Sequence, residues 1–199
     1  MTRNDITGIV LCGGRATRMG GVEKALQTMN SRALVAHVLE RLTPQVSAVI
    51  VSANREREAY QALGVPVVQD ITTGIGPLGG LQAALQAVHT PWFFCCPGDA
   101  PFLDRQVVER LGAVAENDGC TMAFPHDGLR DQHLFLLGRV DIGGKLNAYL
   151  AGGRRSAHGF AESAQACRVS LADIADSFLN INALPELQAA EILARANQK

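Results

Sequence analysis

The 199-residue chain lacks the features that mark membrane, secreted and nucleic-acid-binding proteins. No apolar run approaches the roughly 18 residues that a membrane-spanning helix needs, and the N-terminus leads into a predicted strand without the apolar region of a signal peptide. Its 18 basic and 19 acidic side chains give a formal net charge of −1, which argues against bulk attraction to nucleic acid or to an anionic membrane. The absences predict a cytoplasmic protein in which any anion site is a local cluster.

Recognisable metal and disulfide motifs are also missing. Five cysteines form neither a C-x-x-C pair nor a zinc spacing, and their odd number leaves at least one free thiol. We expect all of them to be small buried residues. They are Cys12, Cys95, Cys96, Cys120 and Cys167. The spacing of His126, His133 and His158 matches no usual zinc motif, so no zinc site is predicted.

What the chain has is a regular alternation of short apolar runs and segments with helical spacing. At 47% hydrophobic residues it is long enough for one domain with a sizeable core, and we expect residues 1–199 to form that single domain. The predicted strands are 6–11, 46–51, 65–69, 92–96, 121–124 and 134–137, and the predicted helices are 33–42, 55–63, 80–89, 104–115, 140–150 and 184–196. Asp104 is a candidate helix N-cap. The alternation predicts an α/β fold with a mostly parallel, three-layer sheet, whose open edge the segment 125–160 would cover.

The segment from Leu11 to Lys24 is the most informative part of the chain. It follows an apolar strand and combines glycines that let the backbone approach an anion with cations that supply charge. These residues are Gly13, Gly14, Gly20 and Gly21, with Arg15, Arg18 and Lys24. The spacing fits neither the dinucleotide fingerprint nor the Walker P-loop. A phosphate-binding loop at the carboxyl end of the strand is therefore predicted, with a solvated surface turn as the alternative.

Two aspartates follow predicted strands and are candidates for the same edge of the sheet. Asp99 comes after the strand at 92–96, where its carboxylate would face the glycine-rich loop and hold Mg²⁺. Asp70 ends the strand at 65–69. The alternative for each is a cap or turn residue that accepts backbone hydrogen bonds.

The pattern L-x-G-G-x-x-x-R-M-G-G-x-x-K resembles the signature of nucleotidyltransferases, and M-G-G-V-E-K resembles in particular that of the molybdenum cofactor guanylyltransferases. The resemblance continues through residues 51–55, 67–70, 76–81, 96–101, 126–131 and 180–187. It implies a Rossmann-like nucleotidyltransferase fold and an Mg²⁺-dependent enzyme. Such an enzyme transfers GMP from GTP to molybdopterin and releases pyrophosphate, and molybdoenzymes or their chaperones would receive the product.

The resemblance also implies roles for individual residues. Arg15, Arg18 and Lys24 would stabilise the leaving phosphates, and Asp99 would hold the metal. The nucleotide would contact Leu11, Cys12, Gly13, Gly14, Lys24, Ser52, Asn54, Asp70, Gly79, Gly80 and Asp99. Molybdopterin would contact Arg130, Arg155, Asn180 and Asn182. The choice of guanine rests on the resemblance alone, so another nucleotidyltransferase, such as a cytidylyltransferase, and a non-catalytic nucleotide- or cofactor-binding protein remain the alternatives.

Overall fold

The computed structural model describes residues 1–13, 23–181 and Glu186. The strands are β1 (Ile6–Leu11), β2 (Thr28–Met29), β3 (Arg32–Ala33), β4 (Ala48–Ser52), β5 (Val67–Val68), β6 (Trp92–Pro97), β7 (Met122–His126), β8 (Leu136–Arg139) and β9 (Cys167–Ser170). The α-helices are α1 (Leu34–Leu42), α2 (Arg57–Gln61), α3 (Pro77–Leu85), α4 (Val107–Asn117), α5 (Gly143–Ala151) and α6 (Ala157–Ser163). Short 3₁₀ segments lie at Arg3–Asp5, Lys24–Leu26, Thr43–Gln45, Val140–Ile142 and Ala172–Phe178.

Seven strands form the central sheet in the order β5-β4-β1-β6-β8-β7-β9, while β2 and β3 form a separate hairpin. β1 pairs in parallel with β4 and β6, and β7 pairs in parallel with β9. β8 is antiparallel to both of its neighbours. The mostly parallel α/β architecture predicted from the sequence is therefore confirmed, and the carboxyl ends of β4, β1 and β6 meet at one edge.

Helices cover both faces of this sheet, which explains why the residues of β1 and β6 are almost all buried. Successive side chains of a strand point to opposite faces. Val10 and Phe94 accordingly pack with residues of α1 and α4, whereas Ile9 and Phe93 pack with residues of α3, α5 and α6. Both phenylalanines are fully buried, and truncation of such a side chain to alanine typically costs about 3–5 kcal/mol.

Helix ends account for most of the differences from the predicted boundaries. The helix predicted over 80–89 runs over Pro77–Leu85 because Gly76 has a φ of +81° and Pro77 takes the first helical position, where its missing N–H is not needed. Asp104 is not the N-cap of α4, which is Gln106. The Asp104 Oδ1 instead accepts a hydrogen bond from the N–H of Gln106, the residue before the helix, at 2.8 Å.

The second half of the chain departs further from the prediction. The segment 125–160 does not simply cover an open edge, because β8 inserts into the sheet between β6 and β7, and the edge strand is β9. The hairpin of β2 and β3, helix α6 and strand β9 were not predicted, since each is short and has no clear apolar period. The terminal helix predicted over 184–196 lies outside the described residues apart from Glu186.

The cysteines follow the prediction only in part. Cys12, Cys95 and Cys96 are buried free thiols. Cys120 and Cys167 are half-buried and form a disulfide, with their Cα atoms 6.1 Å apart. The prediction that all five are buried residues was therefore wrong for this pair, which joins the turn before β7 to the first residue of β9.

Candidate active site

The edge where β4, β1 and β6 end brings three loops to the same level. Leu11 is in register with Ser52 on one side and with Pro97 on the other. The Cys12 N–H donates to the Ser52 carbonyl at 2.8 Å, and the Gly98 N–H donates to the Leu11 carbonyl at 3.0 Å. The residues that follow each strand are thus held side by side, at the edge where open α/β sheets bind ligands.

The glycine-rich loop leaves this edge after Leu11. Cys12 and Gly13 are described, whereas the predicted residues Gly14, Arg15 and Arg18 lie outside the described residues. A Cβ at position 13 would have no atom within 4 Å among the described residues. The chain is described again from Glu23 onward, and Lys24 begins a 3₁₀ turn.

Asp70 and the first turn of α3 form a second wall beside Ser52. A Cβ on Gly80 would lie 2.6 Å from the Ser52 Oγ and 3.4 Å from Asp70 Oδ1, and a Cβ on Gly79 would lie 3.5 Å from Asp70 Oδ2. The Asn54 side-chain oxygen accepts a hydrogen bond from the Asp70 N–H at 2.9 Å. Five residues predicted for nucleotide binding are therefore neighbours, and the two glycines allow the helix to approach this closely.

Asp99 follows β6 and is half-buried. Burial raises the pKa of its carboxyl group, while the positive charge of Lys24 acts in the opposite direction and Glu186 raises the pKa further. The Asp99 carbonyl accepts a hydrogen bond from the Ile181 N–H at 2.9 Å. Asp99 thus lies between Lys24 and the segment that contains Asn180 and Ile181.

Gly98 allows the start of the glycine-rich loop to pack against Asp99. A Cβ at position 98 would overlap the Cys12 Sγ and would lie 3.1 Å from the Ala25 Cβ. Burial, followed by the charges of Asp99 and Glu23, raises the pKa of the Cys12 thiol far above its ordinary value. Cys12 is therefore a buried packing residue and not a reactive thiolate.

A cavity of about 740 Å³ opens beside this edge. It is lined by Phe102, Arg130, Asp131, Gln132, His133, Leu134, Phe135, Ala157, His158, Leu179, Asn180, Ile181 and Glu186. Arg130 and Asn180, both predicted for the second substrate, belong to this lining. Arg155 lies in the loop between α5 and α6, where its Nη1 donates to the Leu150 carbonyl at 2.6 Å. Asn182 lies outside the described residues.

Two histidines in this lining were missed by the sequence analysis. His158 Nδ1 lies 3.0 Å from His133 Nε2, and the ring of Phe124 packs on His133 with centroids 4.6 Å apart. Desolvation, and then the charge of His158, lowers the pKa of His133. The two residues are 25 positions apart on different elements, so no local motif could have paired them. His126 instead has Nδ1 3.0 Å from the Gly128 N–H.

The residues at this edge suit a magnesium ion bound jointly with phosphates. Mg²⁺ prefers octahedral oxygen ligands and is commonly bound by one or two carboxylates, waters and substrate phosphates. Asp99 supplies such a carboxylate. Among the described residues, the one group of three neighbouring Asp and Cys side chains, Asp118, Cys120 and Cys167, lies at the opposite edge of the sheet, where β7 and β9 begin. Its two cysteines form the disulfide, so this group offers no thiolate to a metal.

Comparisons with known proteins identify the family. The model of the MobA-like NTP transferase domain matches residues 8–167. A molybdenum cofactor guanylyltransferase of Cupriavidus taiwanensis is 42% identical over 197 residues, covering 96% of this chain and 98% of its own, and one of Bordetella pertussis is 38% identical, covering 94% and 96%. The chain belongs to the molybdenum cofactor guanylyltransferase family. It is therefore a nucleotidyltransferase enzyme, and the resemblance drawn from its motifs is confirmed.

Solved structures agree on the fold. The molybdopterin-guanine dinucleotide biosynthesis protein A of Archaeoglobus fulgidus superposes with a TM-score of 0.78 at 24% identity, covering 96% of this chain and 99% of its own. A 2-C-methyl-D-erythritol 4-phosphate cytidylyltransferase of Thermus thermophilus gives 0.72 at 15% identity, covering 94% and 98%. At these identities the likeness shows the nucleotidyltransferase fold alone. No helix in the described part of the chain combines the length and apolar character needed to span a membrane.

Proposed function

We propose that this enzyme transfers GMP from GTP to the terminal phosphate of molybdopterin, and that the two substrates meet at Asp99. The observation that carries this proposal is the position of Asp99. Its carboxyl group is close enough to Lys24 to be influenced by that charge, and its carbonyl is bonded to Ile181, which lines the 740 Å³ cavity. The nucleotide therefore lies on the side of Leu11 and Gly80, and the cavity takes the pterin.

The nucleotide site has the residues that this assignment needs. The backbone of Leu11, Cys12 and Gly13 would hold the base and ribose from one side. Asp70 and the close-packed first turn of α3 form the other side. Arg15, Arg18 and Lys24 would neutralise the phosphates, because guanidinium and ammonium groups make short, charge-assisted hydrogen bonds to phosphate oxygens.

The reaction requires positioning and charge neutralisation more than proton transfer. The attacking group is a phosphate that is already an anion near neutral pH, so an in-line attack on the α-phosphorus of GTP needs no general base. Asp99 would hold Mg²⁺, which when bound supplies positive charge to the phosphate oxygens. Lys24 would bind the leaving pyrophosphate and so help to keep it in place.

Arg130 and Asn180 would bind molybdopterin in the cavity. Arg130 is largely exposed, and its side chain makes a 3.7 Å ion pair with Asp127 as its one ion-pair partner among the described residues, so its guanidinium is available to a phosphate or a pterin oxygen. Asn182 stays a predicted contact, whereas the guanidinium of Arg155 is engaged with backbone carbonyls. Transfer of the product to molybdoenzymes or their chaperones, and a cytoplasmic location, stay predictions.

A magnesium titration of two variants tests the separate roles of Asp99 and Lys24. Asp99→Asn keeps the size of the side chain but removes its charge. We expect turnover to fall by about 10²-fold or more and to recover in part as Mg²⁺ is raised, because the metal is held less well. Lys24→Ala removes a cation from the phosphates themselves, so GTP affinity and turnover should both fall without rescue by Mg²⁺. Near-normal turnover of Asp99→Asn at low Mg²⁺ would place the metal elsewhere, with Asp70 as the next candidate.

A further inference from the structure

The residue at the end of the glycine-rich loop is a buried carboxylate. Glu23 is only 6% exposed, and among the described residues it is the one acidic or basic side chain in the buried class, whose other polar members are Thr7, Ser52 and Ser177. Burial of a carboxylate is unfavourable unless a partner replaces the lost water. A carboxylate beside a phosphate site also repels the ligand, so its position calls for an explanation.

The partner of Glu23 is a tyrosine from a distant helix. Tyr60 lies in α2, is fully buried, and donates its hydroxyl hydrogen bond to Glu23 Oε2 at 3.3 Å. Burial raises the pKa of Glu23, while the Tyr60 hydrogen bond, and then the charge of Arg55, act to lower it. The contact spans 37 residues of sequence and comes from outside the loop itself.

Tyr60 also packs in the core near the start of the loop. Cys12, the first residue after β1, belongs to the same buried cluster as Tyr60. Glu23 is the residue before Lys24. The hydroxyl of Tyr60 therefore links helix α2 to the residue that precedes Lys24.

Such a contact has a direct consequence for Lys24. If Glu23 is held by Tyr60, the adjacent Lys24 is positioned before the nucleotide arrives. Ordering of flexible groups on binding is unfavourable, and this cost is smaller when they are already in place. The effect should appear in the affinity for the triphosphate and not in the affinity for the second substrate.

We infer that Tyr60 is a positioning residue, which holds Glu23 and so sets the adjacent Lys24 for the phosphates of GTP. The inference rests on the proposed placement of the GTP phosphates beside Lys24. It assigns no chemical step to Tyr60, which acts only through Glu23. The hydroxyl, rather than the aromatic ring, carries this role.

Tyr60→Phe tests the role because it removes the hydroxyl and keeps the ring. Loss of one buried hydrogen bond that sets the site corresponds to about a fivefold or larger rise in the Kd for Mg–GTP. Calorimetry measures this Kd without the second substrate. In steady-state assays the KM for GTP should rise and the KM for molybdopterin should stay unchanged. Tyr149→Phe is the matched control, since Tyr149 is buried and its hydroxyl donates to the Ser156 carbonyl at 2.9 Å.

Substitutions of Glu23 provide a second, independent test if Tyr60→Phe folds poorly. Glu23→Gln keeps an oxygen that accepts from the tyrosine hydroxyl, whereas Glu23→Leu has a similar size and no acceptor. We expect Glu23→Leu to weaken Mg–GTP binding like Tyr60→Phe, and Glu23→Gln to retain most of it. Equal Kd values for Tyr60→Phe and Tyr149→Phe, or for Glu23→Gln and Glu23→Leu, would overturn the inference. A wild-type protein that binds Mg–GTP but forms no product would instead contradict the proposed transfer.

Discussion

Substitution of Gly98 by alanine should disturb the candidate site through a single overlap. The added Cβ would overlap the Cys12 Sγ, and it would lie 3.1 Å from the Ala25 Cβ and 3.4 Å from the Val10 Cγ1. Overpacking of a filled core typically costs about 1–3 kcal/mol. Because Cys12 begins the glycine-rich loop and Gly98 precedes Asp99, we expect Gly98→Ala to lower turnover as well as the free energy of unfolding.

A second substitution, Cys12→Ala, tests whether the Cys12 Sγ is the atom that causes the loss of stability in Gly98→Ala. Cys12→Ala removes the Sγ that the new methyl group would overlap, so the double variant should be more stable than the sum of the single effects predicts. The expected coupling is about 1 kcal/mol or more, from denaturant unfolding of the four proteins in the cycle. Turnover of the double variant should recover relative to Gly98→Ala.

Gly144→Ala serves as the control, because a Cβ at that exposed position in α5 has no atom within 4 Å among the described residues. It should leave stability unchanged or raise it by up to about 1 kcal/mol, as alanine is the better helix former. Additive effects of Gly98→Ala and Cys12→Ala would refute the overlap as the cause.

Three further outcomes follow from individual contacts. Reduction of Cys120–Cys167, which are 47 residues apart, should lower the free energy of unfolding by up to about 4 kcal/mol, and an unchanged denaturation midpoint in reductant would contradict this. Burial raises the pKa of Glu23, so the folded state binds the proton of this side chain more tightly than the unfolded state does and loses stability as the pH rises through the raised pKa. Glu23→Gln should therefore have a higher free energy of unfolding than wild type at pH 7. This difference should shrink on acidification and be absent below the ordinary pKa of glutamate. Arg130→Gln should raise the KM for molybdopterin about tenfold with the KM for GTP unchanged, whereas Arg139→Gln, which breaks a comparable exposed ion pair at 3.2 Å, should change neither.

The local sequence was sufficient to predict those features whose physical cause is itself local. The β-branched run of Ile6–Leu11 could be assigned as a strand because a central parallel strand is buried on both faces. The glycine-rich loop that follows this strand was therefore expected at the carboxyl edge of the sheet. Once the sheet was predicted to be parallel, Asp70 and Asp99 were expected at that same edge, since both follow strands.

Contacts between elements that are far apart in the chain could not be predicted from the sequence. The hydrogen bond of Tyr60 to Glu23 depends on how α2 packs in the core, and no spacing along the chain encodes it. The pairing of His133 with His158 depends likewise on α6, a short helix that was not predicted. The backbone contacts of Arg155 could not be predicted for a different reason, because an arginine after a helix can donate to the last carbonyls as readily as to a ligand.

Mass spectrometry of the reaction products tests the central claim most directly. The purified enzyme would be incubated with Mg²⁺, molybdopterin and either GTP or CTP, with Asp99→Asn as the impaired control. The proposed function predicts that GTP yields pyrophosphate and a product heavier than molybdopterin by one guanylyl group, while CTP yields little or none. Equal products from both nucleotides, a cytidylyl product, or binding of GTP without any transfer would contradict it.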